Sequence, residues 1–341
     1  MLEYTKPGAA RIYVGKTPDR PSRSQEEIEG ILIELAREGQ VVVRLKGGDP
    51  MIFGRGGEEA QAVARAGILF EIVPGVSSAA AVPAYAGIPL THRSHASAVA
   101  IITGHEDALK GETPIDWEAL ARGPETLVFL MGVKRIAEIT KSLIEAGLPA
   151  KTPVAVIARG TLPGQRTVTG TLATISRRVE KAAIEPPAVT VIGEVVRYHE
   201  ALNWFESKPL FGKRVLVTRP PSQAREFGGW LRMLGAEPVY FPTIRIDPPT
   251  SWEGFDRALE SIGSFDWMVF TSRNGVEAFS ERIRARGVHS RRFAAVKICA
   301  IGAKTAESLI SAGLWVDFTP PERFESEALA QGMLAIEDFK G

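Results

Sequence analysis

The residues best suited to ligand chemistry lie in one glycine-rich, acid-bearing turn at residues 44–59, Arg-Leu-Lys-Gly-Gly-Asp-Pro-Met-Ile-Phe-Gly-Arg-Gly-Gly-Glu-Glu. Gly47 and Gly48 leave no side chain between a ligand and the backbone amides. Asp49 offers a carboxylate to hydroxyl or ammonium groups. An apolar run precedes the turn, and ligands of open α/β sheets collect at the carboxyl ends of strands, so we expect a binding loop here. An ordinary strand-to-helix loop is the alternative that glycine content alone favours.

Two nucleotide-binding motifs are excluded by their spacing. The turn lacks the Gly-x-Gly-x-x-Gly pattern that opens a helix in dinucleotide-binding folds. Gly15-Lys16-Thr17 matches the end of a phosphate-binding loop, but Ala10 stands where that loop needs glycine. Neither motif supports a nucleotide site.

The composition is typical of a globular protein with several domains. The chain has 341 residues, of which 45% are hydrophobic and 24% charged, and this length suits two or three domains. The net charge of +1 argues against a general nucleic-acid binder. No apolar run approaches the ~18 residues of a membrane helix, the first residues form no export segment, and the lone Cys299 excludes an internal disulfide. We therefore expect a cytoplasmic protein without membrane or nucleic-acid partners.

Strand-like and helical runs alternate along the chain, which predicts an α/β fold with parallel strands. Ser77 and Ser78 are suited to cap a small-residue helix over 79–86. Strands are predicted at 11–14, 41–45, 70–73, 99–103, 126–131, 154–158, 188–192, 212–220, 238–241, 268–271 and 297–301. Helices are predicted at 25–37, 58–66 and 136–146, and again up to residue 234. The pattern divides into lobes at 1–97 and 98–205, a polar linker at 206–212 and a further α/β unit at 213–341.

Motifs in the first two segments closely resemble those of the uroporphyrinogen-III C-methyltransferases. They occur in the family's order from about Met1 to Phe205, and they include Val43-Arg44-Leu45-Lys46-Gly47-Gly48-Asp49-Pro50, Phe53-Gly54-Arg55-Gly56-Gly57-Glu58-Glu59, Val73-Pro74-Gly75-Val76, Ala84-Tyr85-Ala86-Gly87-Ile88-Pro89-Leu90-Thr91-His92-Arg93 and Thr103-Gly104-His105. The resemblance implies a two-lobed tetrapyrrole-methylase fold, S-adenosylmethionine as methyl donor, conversion of uroporphyrinogen III to precorrin-2, and a homodimer.

The last segment resembles the first half of uroporphyrinogen-III synthase. The matching motifs are Arg214-Val215-Leu216-Val217-Thr218-Arg219-Pro220, Asp266-Trp267-Met268-Val269-Phe270-Thr271-Ser272 and Ala300-Ile301-Gly302. This resemblance implies cyclisation of hydroxymethylbilane with inversion of one ring. The two reactions are consecutive in tetrapyrrole synthesis, so a fused chain makes chemical sense.

The methyltransferase resemblance also assigns residue roles. Lys16 matches a proposed proton donor. The donor-binding positions are Gly47, Gly48, Asp49, Ile52, Ser77, Ser78, Met131 and Gly160. Cationic residues in or beside predicted loops are candidates for the carboxylates of the substrate, although a solvated surface charge is the alternative for each; they are Arg44, Lys46, Arg55, His92 and Arg93.

In the synthase-like segment, polar residues at strand ends are candidates for binding acetate and propionate groups, and cap or turn roles are equally open for them. They are Thr218, Arg219, Thr271, Ser272, Asn274 and Thr305. His92 and His95 lack a thiol or carboxylate partner nearby, so we predict no metal site.

Some family features are absent from the sequence. The opening Gly-x-Gly-Pro-Gly-Asp-Pro turn and a following Tyr-Asp segment are missing, and the synthase part lacks its second half. We therefore expect a shortened methyltransferase fused to an incomplete synthase. The alternatives are an inactive fragment that still binds donor or tetrapyrrole, and a methyltransferase for a later corrin intermediate.

Overall fold

The computed structural model describes residues 5–6, 8–15, 23–104, 115–320 and 326–336. The chain forms two compact units. The first comprises Met1–Val217 with Ala224–Phe241, and the second comprises Thr218–Gln223 with Pro242–Gly341. No helix in these ranges is long and apolar enough to cross a bilayer.

The first segment contributes three helices, α1 (Gln25–Arg37), α2 (Gly56–Arg65) and α3 (Ser78–Tyr85). Helix α1 begins at a capping box, in which the Ser24 hydroxyl accepts from the Glu27 amide at 3.1 Å and the Glu27 carboxylate accepts from the Ser24 amide at 2.6 Å. Ser77 caps α3, as the sequence predicts.

The strands predicted at 11–14, 41–45 and 70–73 are not formed. These runs have no paired strand among the described residues, and Val41 and Val73 are 96% and 79% exposed. A strand is stabilised by ladder bonds to a neighbour and by burial of one face. An apolar, β-branched sequence without such a neighbour therefore forms no strand.

A mixed five-stranded sheet forms the centre of the first unit, with the order β1-β2-β5-β3-β4. Strands β1 and β2 are parallel, and β5 runs antiparallel to both β2 and β3. Consequently β1, β2 and β3 end at the same edge of the sheet. The strands are β1 (Val99–Thr103), β2 (Thr126–Leu130), β3 (Pro153–Ala158), β4 (Arg166–Thr171) and β5 (Ala188–Ile192), and the helices around them are α4 (Trp117–Arg122), α5 (Ile136–Glu145), α6 (Ile175–Lys181) and α7 (His199–Leu202).

Both faces of this sheet are buried, because side chains alternate along each strand. Phe129 and Val156 pack with the residues of α5 and α6 on one face. Val128 and Ile157 pack on the other face with Ala79 and Val82 of α3. Helix α3 is therefore held against the sheet that carries the predicted site residues after β2 and β3.

The remaining elements belong to the synthase-like segment. The parallel pair β6 (Arg214–Val217) and β7 (Glu237–Tyr240) lies in the first unit, and helix α8 (Pro221–Met233) connects them. The second unit pairs β8 with β9 in parallel around a core that includes Phe270, Phe279 and Leu309. Its elements are α9 (Glu253–Glu260), β8 (Trp267–Phe270), α10 (Arg273–Ala285), β9 (Lys297–Ala300), α11 (Ala303–Ser311) and α12 (Ser326–Ile336).

Candidate functional site

The Asp49 carboxylate joins the glycine-rich turn to a second turn at 73–77. One oxygen accepts from the Met51 amide at 2.8 Å, and the other accepts from the Gly75 amide at 3.0 Å. A β-carbon on Gly75 would lie 2.2 Å from the carbonyl oxygen of Gly48, closer than any real contact. The two turns therefore touch through backbone, and only glycine fits at position 75.

Of the paired glycines, only Gly48 requires a left-handed conformation, with φ at +70°. The space over Gly47 is open, with nothing within 4 Å of a β-carbon built there. In the bend that follows, the left-handed residues are Phe53 and Arg55 rather than glycines. A β-carbon on Gly56 would lie 2.3 Å from the Pro50 carbonyl oxygen, so close packing explains that glycine.

The start of α3 lies directly beside Gly48. A β-carbon on Gly48 would be 3.8 Å from the Ser77 Cα and 3.9 Å from the Ser78 amide nitrogen. Ser77 is buried and its hydroxyl accepts from the Ala79 amide at 3.2 Å, whereas Ser78 is exposed. The Ala80 and Ala81 amides donate to the Ser77 carbonyl at 3.0 and 2.9 Å, so the Ser78 amide is the helix-start donor that lies beside the turn.

The ends of β2 and β3 supply the other two predicted donor-binding positions. Met131 directly follows β2, with φ at +57° and 54% exposure. Gly160 follows β3 and packs on α3, because a β-carbon there would lie 2.4 Å from Val82 Cγ1. Helix α3 thus connects Gly48 at its beginning with Gly160 at its middle. Ile52, within the glycine-rich turn, is exposed.

A buried glutamine that the sequence analysis missed holds the turn containing Gly160. Gln165 is 2% exposed, and its side-chain oxygen accepts from the Thr161 amide at 2.9 Å. Its amide nitrogen donates to Glu206 at 2.9 Å and to the Tyr85 carbonyl at 3.4 Å. Thr161 and Arg159, which flank Gly160, have left-handed backbone conformations. This conformation is rare for residues other than glycine and is typical of strained functional turns. No sequence pattern marks a buried amide of this kind.

Two of the predicted substrate-binding cations form ion pairs within the protein. Arg44 and Lys46 contact the Glu59 carboxylate at 3.3 and 2.8 Å, and Glu59 is 5% exposed. Burial alone would raise the pKa of Glu59, but hydrogen bonds from Lys46 and Gln25 and the charge of Arg44 outweigh burial and lower it. Arg44 and Lys46 therefore stabilise the ionised form of a buried carboxylate of the protein itself. Arg55 is more exposed and pairs with Glu58 at 3.4 Å.

His92 and Arg93 lie away from the glycine-rich turn in sequence and have different surroundings. The His92 ring stacks on Tyr198 with centroids 4.5 Å apart, and its Nδ1 accepts from the Ser94 amide at 3.2 Å. Arg93 is exposed. Among the described residues no group of three or more His, Cys, Asp or Glu is placed to hold a metal ion. Lys16 lies outside the described residues.

In the second unit, polar residues follow the parallel strands β8 and β9. Thr271 follows β8, Ser272 caps α10 by accepting from the Gly275 amide at 3.1 Å, and Asn274 accepts from Gln223 at 2.9 Å. Thr305 is buried in the first turn of α11, after β9. Thr218 accepts from Thr243 through its carbonyl oxygen, and Arg219 precedes α8. Several of these residues are thus engaged as caps or turn contacts.

Comparison with known proteins decides the family. The model of the tetrapyrrole (corrin/porphyrin) methylases matches residues 1–176, and that of uroporphyrinogen-III synthase HemD matches residues 226–340. The chain belongs to the tetrapyrrole methylases. It also carries a uroporphyrinogen-III synthase domain, so both resemblances read from the sequence are confirmed.

Several relatives match nearly the whole chain, and others match about 60% of it. The chain is 41% identical over 100% of its length to a uroporphyrinogen-III C-methyltransferase of Bacillus subtilis, covering 69% of that protein. It is 41% identical over 95% of its length to the porphyrin biosynthesis protein HemD of Ruminiclostridium josui, of which it spans 64%. Over 60% of its length it is 50% identical to an S-adenosyl-L-methionine-dependent uroporphyrinogen III methyltransferase of Methanosarcina barkeri, covering 80% of that protein. The chain therefore spans about two thirds of the fused relatives.

Proposed function

We propose that the methylase part transfers methyl groups from S-adenosylmethionine to ring carbons of uroporphyrinogen III, giving precorrin-2. The observation that carries this proposal is the backbone cradle around α3, in which Asp49 ties the Gly47–Gly48 turn to Gly75 and the start of the helix. The family membership and the names of the relatives supply the reaction class.

The residues at the cradle fit the proposed methyl donor. Open backbone at Gly47 and the Ser78 amide at the start of α3 suit its polar end. Exposed apolar side chains at Ile52 and Met131 suit its adenine ring and the carbons around its sulfonium centre. S-adenosylmethionine, when bound, supplies an electrophilic methyl group. The protein's part is to hold the pyrrole carbon at attack distance, and such positioning accounts for a large share of the barrier reduction in two-substrate reactions. Lys16 remains the predicted proton donor.

A matched pair of glycine substitutions tests this assignment. Gly75→Ala introduces a β-carbon 2.2 Å from the Gly48 carbonyl oxygen, so the two turns must separate. Gly30→Ala, in α1, meets nothing within 4 Å and serves as the control. Transfer of label from S-adenosylmethionine to uroporphyrinogen III should fall about 100-fold in kcat/KM for Gly75→Ala, because ångström-scale misplacement has that effect. Titration calorimetry should show that S-adenosylhomocysteine binds more weakly to Gly75→Ala than to Gly30→Ala. Equal activity in the two variants would contradict the cradle.

We propose that the second part contributes to cyclisation of hydroxymethylbilane to uroporphyrinogen III. The support is the synthase family match at 226–340 and the polar residues that follow β8 and β9, Thr271, Ser272, Asn274 and Thr305. Production of uroporphyrinogen III from hydroxymethylbilane, separated chromatographically from the non-inverted isomer, tests it. Formation of the non-inverted isomer alone would contradict the assignment.

We further propose that the chain forms a homodimer and that it is located in the cytoplasm. The family resemblance implies the dimer, and an unpaired, buried Cys299 suits a reducing compartment. Light scattering on the purified chain measures its mass directly against the 36.9 kDa of one chain.

A further inference from the structure

A cleft of the first unit shares the 159–164 turn and Tyr85 of α3 with the cradle described above, and its other lining residues have no role in the function proposed above. Its volume is about 740 Å³, and it lies between the 159–164 turn of the methylase part and the start of the synthase-like segment. This size falls within the range of small-molecule sites, roughly 300 to 1,000 Å³. The residues that line it include Tyr85, Phe205, Arg159, Lys208 and Arg232.

Three of the lining residues are cations, and no ion pair is found for any of them in the part of the chain that the structure describes. The Lys208 ammonium lies over the rings of Trp204 and Phe205, at 4.8 and 5.2 Å from their centroids. The Arg232 guanidinium lies 5.7 Å from the ring centroid of Tyr240. Aromatic contacts hold these groups in place without neutralising them, so their charge is available to an anion.

Arg159 lines the cleft from a position with a left-handed backbone conformation. Its φ is +50°, and its side chain lies along the turn, with Cδ 3.8 Å and a terminal nitrogen 3.9 Å from a β-carbon built on Gly164. Among the described residues that line the cleft there is one acidic side chain, Glu237, and it contacts Arg214 on β6 at 3.4 Å. The cleft therefore combines positive charge with aromatic surface.

We propose that this cleft binds the carboxylates of a tetrapyrrole, as a second site that shares the 159–164 turn with the α3 cradle. A ligand that fits must carry several carboxylates for the cations and an apolar ring system for Tyr85 and Phe205. The identification as a tetrapyrrole rests on the proposed function. The cleft is lined by residues of both the methylase part and the start of the synthase-like segment, all of them within the first unit.

The test uses uroporphyrin III, a fluorescent polycarboxylate, titrated into the full chain. The double variant Lys208→Gln/Arg232→Gln removes two cleft charges, and Lys151→Gln/Lys181→Gln removes two exposed charges elsewhere as a matched control. We expect the cleft variant to bind about tenfold more weakly at low salt, the control to bind as the parent does, and the difference to shrink as ionic strength rises. Arg159→Gln should act in the same direction as the cleft variant.

The octamethyl ester of uroporphyrin separates charge recognition from simple apolar binding. It should bind weakly to every variant. Equal uroporphyrin affinity in the cleft and control variants, or equal affinity for the ester and the free acid, overturns the proposal. Charge-dependent uroporphyrin binding in a chain that transfers no methyl group would retain the cleft and remove the proposed function, so the two failures are distinguishable.

Discussion

Replacement of Gln165 by methionine tests whether a buried amide positions the turn that contains Gly160. Methionine has a similar volume, so packing is nearly conserved while three hydrogen bonds are lost. The 3.4 Å bond to the Tyr85 carbonyl is long and contributes little. The loss of a partner for the Thr161 amide costs about 1 to 3 kcal/mol, and the loss of one donor to Glu206 costs about 1 kcal/mol.

The expected total is therefore about 2 to 4 kcal/mol of unfolding free energy. For a unit of this size that corresponds to a decrease in Tm of about 4 to 16 °C. Because the affected turn contains Gly160, we also expect the KM for S-adenosylmethionine to rise more than kcat falls. Thermal unfolding by circular dichroism and initial-rate kinetics measure the two effects.

Two further variants make this prediction specific. Thr167→Val removes only the 2.6 Å bond from Thr167 to Glu206, so it should destabilise the protein by about 1 kcal/mol and leave the donor KM unchanged. Gln165→Glu retains the acceptor for Thr161 but places a second carboxylate against Glu206. Like charges disfavour ionisation, so the deficit of this variant should diminish as pH falls. A Gln165→Met protein with the parent's Tm and KM would refute the reasoning.

Three other predictions follow from the described contacts. Glu59→Gln leaves the Lys46 ammonium without its carboxylate and should cost about 3 kcal/mol at pH 7. Because the folded pKa of Glu59 lies below the ordinary 4.5, the parent's advantage is fully present above pH 4.5 and should be lost as the pH falls through the folded pKa, which urea unfolding at several pH values measures. A pH-independent difference would contradict the ion-pair account. Cys299 is 0% exposed and burial raises its pKa, so its thiol should react with a disulfide reagent only as the protein unfolds, and rapid native-state reaction would show that β9 opens. Ala183 is left-handed, with φ at +47°, so Ala183→Gly should stabilise the protein by about 1 kcal/mol in urea unfolding, whereas Ala182→Gly, at a right-handed position, should destabilise it.

Local patterns predicted the elements that bury a face against a near neighbour. The helix at 25–37 and the strands at 99–103 and 188–192 agree with the structure at both ends. The extended runs at 41–45 and 70–73 have equally strong strand character, yet they are unpaired, because pairing depends on a partner that no local window contains. Strand β4 went unpredicted for the converse reason: its sequence, Arg-Thr-Val-Thr-Gly-Thr, is polar and is held by ladder bonds to β3.

The candidate site was predictable to a similar degree. Motif order singled out Gly48, Asp49 and Gly160, which the structure places around α3, and their role in donor binding stays a prediction. It did not distinguish cations free for a ligand from cations already neutralised: Arg44 and Lys46 contact Glu59. That difference depends on which side chains meet across the fold.

The polar segment 206–212, predicted as a linker, packs against its neighbours. Phe205 is 5% exposed and its ring centroid lies 5.4 Å from that of Phe211, while Leu210 packs against the cluster that contains Val217 and Leu231. A protease that cleaves this polar segment, or a gene divided within it, would separate hydrophobic residues that pack together. A chain divided at this point would lose the packing of Phe211 on Phe205, so a separately produced methylase half should retain the segment through β7, which belongs to the same compact unit.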